Sequence, residues 1–174
     1  MHIAVCGELG SGCTEVGGIL SEKLGIRCIN SSDVIRSIVS NFRESFEEFE
    51  SNVLSGEVNL DVMINGKISE FLEMGDLIVE GRSAFLLLDR EDIFKVLLVA
   101  PRTKRAEHIA KRRGITKEES EKDLDESDME RGHMVKKIFK KDWLDPHNYD
   151  LVINTGPRTY KEVADLIIKT IPER

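Results

Sequence analysis

Apolar and polar positions follow two rhythms along this chain. Short unbroken apolar runs occur at "HIAVC" (2–6), "IRCIN" (26–30), "DLIVEG" (76–81), "IFKVLLVA" (93–100) and "YDLVINT" (149–155), each the length of a buried strand. Between the runs, apolar residues recur every three or four positions, which is the helical rhythm. Val16, Ile19, Leu20 and Leu24 predict a helix after the first run, with Gly25 as its stop. A mostly helical stretch follows from residue 32 to 74, interrupted near "LSGEVN". Residues 102–113 read as a helix ended by Gly114. "TKEE" (116–119) and "TYKE" (159–162) are capping boxes, in which a threonine and a glutamate satisfy each other's backbone at a helix start. The first opens a long charged helix. The second opens a last helix whose apolar face is expected to take Val163, Leu166, Ile167 and Ile171.

Apolar strands alternating with helices imply an α/β protein in three layers, a central parallel sheet covered on both faces. Such sheets bind ligands beyond the carboxyl ends of their strands. Two segments leave strands at that edge: "GELGSGCTEVG" (7–17) and "EGR" (80–82).

At 174 residues the chain is one domain of ordinary size, and its net charge of −7 disfavours nucleic acid as the main partner. Chain length and charge leave room for a local basic site for a small anion. No apolar run approaches the about 18 residues of a membrane helix. "MHIAVC" enters a strand at once, and the three cysteines, Cys6, Cys13 and Cys28, are odd in number, so the expectation is a reduced, cytoplasmic protein. Cys6 and Cys28 lie in apolar runs and read as core. Cys13 stands where a helix N-terminus would favour a thiolate, but the reading preferred here is a small residue that merely fits the loop.

"GELGSGCT" follows the phosphate-loop pattern G-x-x-x-x-G-K-[ST] with Gly7, Gly12 and Thr14 in place and Cys13 at the lysine position. Glycines there let successive N–H groups turn toward an anion, and the following helix adds its positive end. The strand before it and the amphipathic helix after it supply the context the motif requires. Thr14 is placed to offer its hydroxyl to Mg²⁺, and Glu80, ending a neighbouring strand, would hold the same ion through water. Loss of the lysine removes a cation near the transferred group, a loss of ~3 kcal/mol unless another cation replaces it. Arginines are the candidates: Arg36, Arg82, Arg105, Arg112 and Arg131. Arg82 stands out because it leaves a buried strand at the ligand edge; an arginine on a charged helix is ordinarily a solvated surface residue.

The charged helix is polarised. Residues 118–130 hold eight acids against Lys122, whereas residues 131–141 hold Arg131, Lys136, Lys137, Lys140 and Lys141 and no acid. Dipole complementarity explains this arrangement. So does a lid whose basic part closes on phosphates, as phosphoryl transfer requires.

"GELGSGCTEVGGILSEKLGI", "VEGRSAF", "VAPRTKRAEHIAKRRGIT" and "DWLDPHNYDLVINT" together resemble the cytidylate kinases, the archaeal type and the bacterial cytidylate-kinase-like group, over nearly the whole chain. That branch often lacks the loop lysine. The resemblance implies a P-loop kinase fold with a core (1–29, 76–112, 149–174), a helical monophosphate-binding region (30–75) and a lid (113–148). It implies transfer of the γ-phosphoryl of ATP to CMP or dCMP with Mg²⁺, small nucleotides as partners, and a monomer. On it, Gly7, Glu8, Leu9, Gly10, Ser11, Gly12, Cys13 and Thr14 bind the ATP phosphates, and Arg112 and the 154–159 loop lie near the ATP base. Ser31, Ser32, Asp33 and Arg36 face the acceptor, Arg36 and Arg82 hold its phosphate, and Arg131 reaches the transferred group. Two departures are visible: "NSSD" lacks the S-x-G arrangement, and the acidic "DLDESDME" leaves Arg131 nearly alone. The residues by themselves leave open a nucleotide-binding module with little turnover, or a kinase of a small non-nucleotide metabolite.

Overall fold

The computed structural model describes residues 1–41, 55 and 59–172. Five strands form one sheet: β1 (His2–Gly7), β2 (Arg27–Ile29), β3 (Leu77–Glu80), β4 (Ile93–Val99) and β5 (Leu151–Asn154). Their order is β2-β3-β1-β4-β5, and every neighbouring pair is parallel. Four of them lie inside their apolar runs, trimmed by one to three residues, and β1 runs one residue past its own, to Gly7. In register, Val5 of β1 stands between Glu80 of β3 and Val96 of β4, so the carboxyl ends of the three central strands open side by side.

Among the described residues, six helices flank the sheet: α1 (Cys13–Leu24), α2 (Ser31–Asn41), α3 (Leu60–Glu73), α4 (Arg102–Arg113), α5 (Lys117–Phe139) and α6 (Tyr160–Thr170). The helical stretch expected over 32–74 is thus two helices where it is described. Its expected break at "LSGEVN", Ser55 and Asn59 apart, falls outside the described residues, as do residues 42–53.

Alternation along the strands divides the core into two layers. Ile3, Val5, Ile78, Val96 and Leu98 pack against Val16 and Leu20 of α1 and Val163, Ala164 and Ile167 of α6. Ala4, Cys6, Val79 and Leu97 pack on the other face, against Phe85 and Leu87 of a 3₁₀ segment (Gly81–Leu87), Ile68 and Phe71 of α3, and Trp143. Trp143 meets Phe85 edge to face at 5.5 Å. It also lies so close to α5 at Gly132 that a Cβ there would come within 3.3 Å of the indole nitrogen. Each such side chain, fully buried, contributes about 1.5–3 kcal/mol. One position of the expected apolar face is corrected: Leu166 is 41% exposed, and Ala164 takes its place toward the sheet. Cys6 is buried as expected, while Cys28 is half-buried.

Both capping boxes form. Thr116 accepts from the Glu119 N–H at 3.2 Å while Glu119 accepts from the Thr116 N–H at 2.8 Å, and Thr159 and Glu162 do the same for α6. The acidic half of α5 is turned to α4. Arg102 meets Asp125 at 2.9 Å and Glu121 at 3.4 Å, Arg113 meets Asp123, and Arg105 meets Asp128 at 2.6 Å. Complementary pairing between two helices therefore joins dipole complementarity as the cause of the charge polarity. Four of the eight acids are thus paired with arginines of α4. No described helix is long and apolar enough to cross a membrane.

Candidate active site

Between β1 and α1 the chain turns around a hollow of about 50 Å³, lined by loop residues 7–10 and 12–14 together with Glu80, Gly81, Arg112 and Arg131. Gly12 caps α1 in the left-handed region (φ 99°) and offers no side chain to the first helical N–H groups. Those orphan donors face an anion-sized space. A Cβ on Gly12 would also lie 2.3 Å from the Tyr160 ring, so the position requires glycine twice over. Ser11 is the loop residue turned fully inward: its hydroxyl donates to Glu8 O at 2.8 Å, and its carbonyl accepts from Thr155 Oγ1 at 2.9 Å.

The side chains at the lysine position and beside it now have a physical description. Cys13 is buried, its Sγ 3.7 Å from Ser11 Oγ, and burial pushes its thiol up to about 12. Of the two readings of Cys13, the neutral thiol agrees with the small residue that fits the loop, because desolvation outweighs the helix dipole that would favour a thiolate. Thr14 Oγ1 donates to Glu80 Oε1 at 3.2 Å. Burial raises Glu80 above the usual glutamate value, with the Thr14 hydroxyl pulling it partly back. A hydroxyl and a carboxylate at the mouth of the hollow are hard oxygen donors, and they fit Mg²⁺.

Positive charge reaches the hollow from two helices. Arg131, 8% exposed, donates from Nη1 to Ser127 O and Ser127 Oγ, while its buried Nε has no hydrogen-bond partner among the described residues. Burial and the neighbouring Arg82 both lower its affinity for its proton. A desolvated guanidinium with a buried Nε–H left without an acceptor is a site for an anion. Arg112 enters from α4, its Nη1 3.7 Å from Glu15. The sequence puts Arg112 near a base; here it lines the phosphate hollow. The 154–159 segment borders a separate 380 Å³ groove that includes Gly10, Lys104 and Tyr160.

Across the 80–82 turn lies a larger cavity of about 540 Å³. Ile35, Ile64, Leu86 and Met134 make its apolar wall, and Ser31, Arg82, Ser83, Glu130, His133 and Lys137 supply its polar groups. Ser83 Oγ donates to Ser31 Oγ at 2.8 Å, and Arg82 meets Glu130 at 2.6 Å. Of the predicted acceptor residues, Ser31 and Arg82 line this cavity. Asp33 instead accepts from the Asn30 N–H at 3.1 Å, and Ser32 donates its N–H to Asn30 Oδ1, both at the start of α2. Arg36 is 77% exposed, paired with Asp33 at 3.4 Å on an outer groove, and is not brought to the cavity.

Sequence reasoning missed Glu130, His133 and Lys137. Their spacing, with Met134, is one face of α5, and that periodicity was the available signal. Arg105, one of the candidate arginines but ordinarily a surface residue, is 6% exposed, held by Glu8 at 3.2 Å and Asp128 at 2.6 Å, and it donates to Leu9 O at 3.2 Å. Asp128 in turn accepts from the Leu9 N–H. This buried cluster ties the outer flank of the loop to α4 and α5.

A parallel sheet in this order, a glycine loop entering a helix, and a hydroxyl–carboxylate pair at its mouth define a P-loop kinase. The model of the cytidylate kinase-like family matches residues 2–157, and the chain belongs to that family. It is 32% identical over 174 residues to the cytidylate kinase of Methanopyrus kandleri, covering 95% of this chain and 90% of that protein. Among solved structures, an uncharacterized protein from Eubacterium ventriosum superposes with a TM-score of 0.77 at 19% identity, covering 100% of this chain and 99% of that one. Shikimate kinase from Acinetobacter baumannii superposes at 0.61 and 18% identity, covering 98% and 92%. Those two likenesses speak to fold alone. With its family, the chain is a kinase.

Proposed function

We propose that the protein transfers the γ-phosphoryl group of ATP to a pyrimidine nucleoside monophosphate, CMP or dCMP, giving the diphosphate. One observation carries this reading: the hollow and the cavity share a wall made of consecutive residues. Gly81 and Arg131 line the hollow, while Arg82 and Glu130 line the cavity. Two anions held on either side of that wall meet across it, with a cation on each side. The name shared by the curated relatives supports the nucleoside monophosphate as acceptor.

In this reading the loop N–H groups and Arg112 hold the donor phosphates, and Arg131 sits against the group in transfer. Arg82 exchanges Glu130 for the acceptor phosphate. Thr14 and Glu80 hold Mg²⁺, which neutralises charge on the donor oxygens when bound. Alignment and charge stabilisation dominate such chemistry, so no strong base is required. The neutral Cys13 thiol supplies no charge. The cationic work of the absent lysine falls to Arg131 and Arg112, and the buried position of Arg131 strengthens its field.

The test is Mg²⁺-dependent ATP turnover with product identification across CMP, dCMP, UMP, dUMP, AMP and GMP. CDP or dCDP well above the rate without acceptor is expected. Diphosphate from none of the six would overturn the reading.

A further inference from the structure

Behind the phosphate loop, one imidazole joins three elements. His108 of α4 has Nδ1 3.1 Å from Gly10 O and 2.8 Å from the Tyr160 hydroxyl of α6, and Nε2 3.0 Å from Glu15 Oε1 of α1. Glu15 Oε2 is buried with no hydrogen-bond partner among the described residues. The Tyr160 ring fills the space over Gly12. The ring therefore touches the loop's backbone, and its tyrosine partner touches the loop's last glycine.

Three polar neighbours face two ring nitrogens, and the protonation states satisfy different subsets of them. A neutral ring protonated on Nε2 donates to Glu15 and accepts the Tyr160 proton on Nδ1, which leaves the Gly10 carbonyl without its donor. A neutral ring protonated on Nδ1 reaches Gly10 but sets a bare Nε2 lone pair against the Glu15 carboxylate. Only the imidazolium donates to Gly10 and Glu15 together. Held by that donor, the Gly10 oxygen stays on the outer side of the loop; released, it is free to turn its negative end toward a bound phosphate. The titratable groups facing the ring are Glu15 from α1 and Tyr160 from α6; on its own helix Lys104 stands four positions before it and Lys111 and Arg112 three and four after it. Lys104 pairs with Glu107 at 3.3 Å.

We propose that His108 is a positioning residue for the phosphate loop, its charged form pinning the Gly10 carbonyl outward and so strengthening the binding of the donor nucleotide's phosphates. The inference rests on the reading of this loop as the ATP site but not on the identity of the acceptor. By linkage, phosphate binding and protonation of His108 reinforce each other.

Direct binding of Mg²⁺·ATP by calorimetry, without acceptor, tests it across about pH 5 to 8, the span over which histidines change charge. Wild type is expected to bind about tenfold more weakly at the upper end, beyond the change seen in His108→Gln, which carries only the nucleotide's own titration. Amide spectra of the nucleotide-free protein give a second readout: the Gly10 and Ser11 signals follow pH in wild type and not in folded His108→Gln. Identical pH dependence of binding in wild type and His108→Gln overturns the proposal and leaves the ATP site standing. No binding at any pH, with ligand-free signals that ignore His108, overturns both.

Discussion

The two hollows that meet at the 80–82 turn are built on opposite plans. The hollow at the glycine loop, about 50 Å³, takes seven of its eleven lining residues from that loop, which is braced on one flank by Arg105 between Glu8 and Asp128 and on the other by His108 and Tyr160. The acceptor cavity, about 540 Å³, is made by side chains from α2, α3, the 3₁₀ segment and α5, and an ion pair spans part of it. Braced backbone holds one chemistry in place, whereas a wall of side chains changes with single substitutions. On the function proposed above, donor binding belongs to the braced loop and acceptor choice to the wall of side chains, which is the part open to variation.

The largest expected effect destroys the donor side alone. Gly12→Val meets both a left-handed backbone and the Tyr160 ring, and Mg²⁺·ATP binding is expected to fall at least ~1,000-fold by calorimetry, with the circular dichroism of the fold retained. Arg131→Met strikes the shared wall. Steady-state kinetics should show kcat lower by about 10²–10³, with stability unchanged or raised, because a desolvated cation is replaced by an apolar side chain. Arg82→Ala acts on the acceptor side: kcat/KM for the acceptor should drop about a hundredfold while Mg²⁺·ATP affinity stays within twofold.

Glu80→Gln separates stability from activity. Burial raises this carboxyl above 4.5, so the folded protein holds its proton more tightly than the unfolded chain. Stability therefore falls as pH rises from about 4.5 through the raised value and stays lower above it. The variant should melt higher at neutral pH in calorimetric scans and lose that step in its pH–stability curve, with turnover reduced about tenfold. The smallest effect sharpens the contrast. Glu130→Gln frees Arg82, and the acceptor KM should fall about threefold with kcat and donor affinity unchanged.

The difference in plan also decides what could be read in advance. The glycine spacing of the donor loop, its Thr14 and the two capping boxes are local patterns whose partners lie within a few residues, and they form as expected. The sheet was legible because fully buried strands need unbroken apolar runs. Long-range pairing was not. Burial of Arg105 depends on Glu8 and Asp128, from other elements, and nothing in "PRTKRAEHIAKRR" announces it. The protonation state of Cys13 was not legible for a related reason: its loop position implies a helix terminus, but its desolvation is set by packing. Ser32, Asp33 and Arg36 follow Ser31 in sequence, yet the first turn of α2 points them elsewhere.

Trp143 is the one tryptophan in the 174 residues, and it lies against Gly132, between Arg131 and His133 in the chain. The helix that carries a guanidinium to the donor and an imidazole to the acceptor thus presses on the protein's single indole. Any shift of that helix on ligation alters the surroundings of one chromophore, so the unlabelled protein holds its own optical gauge of site closure.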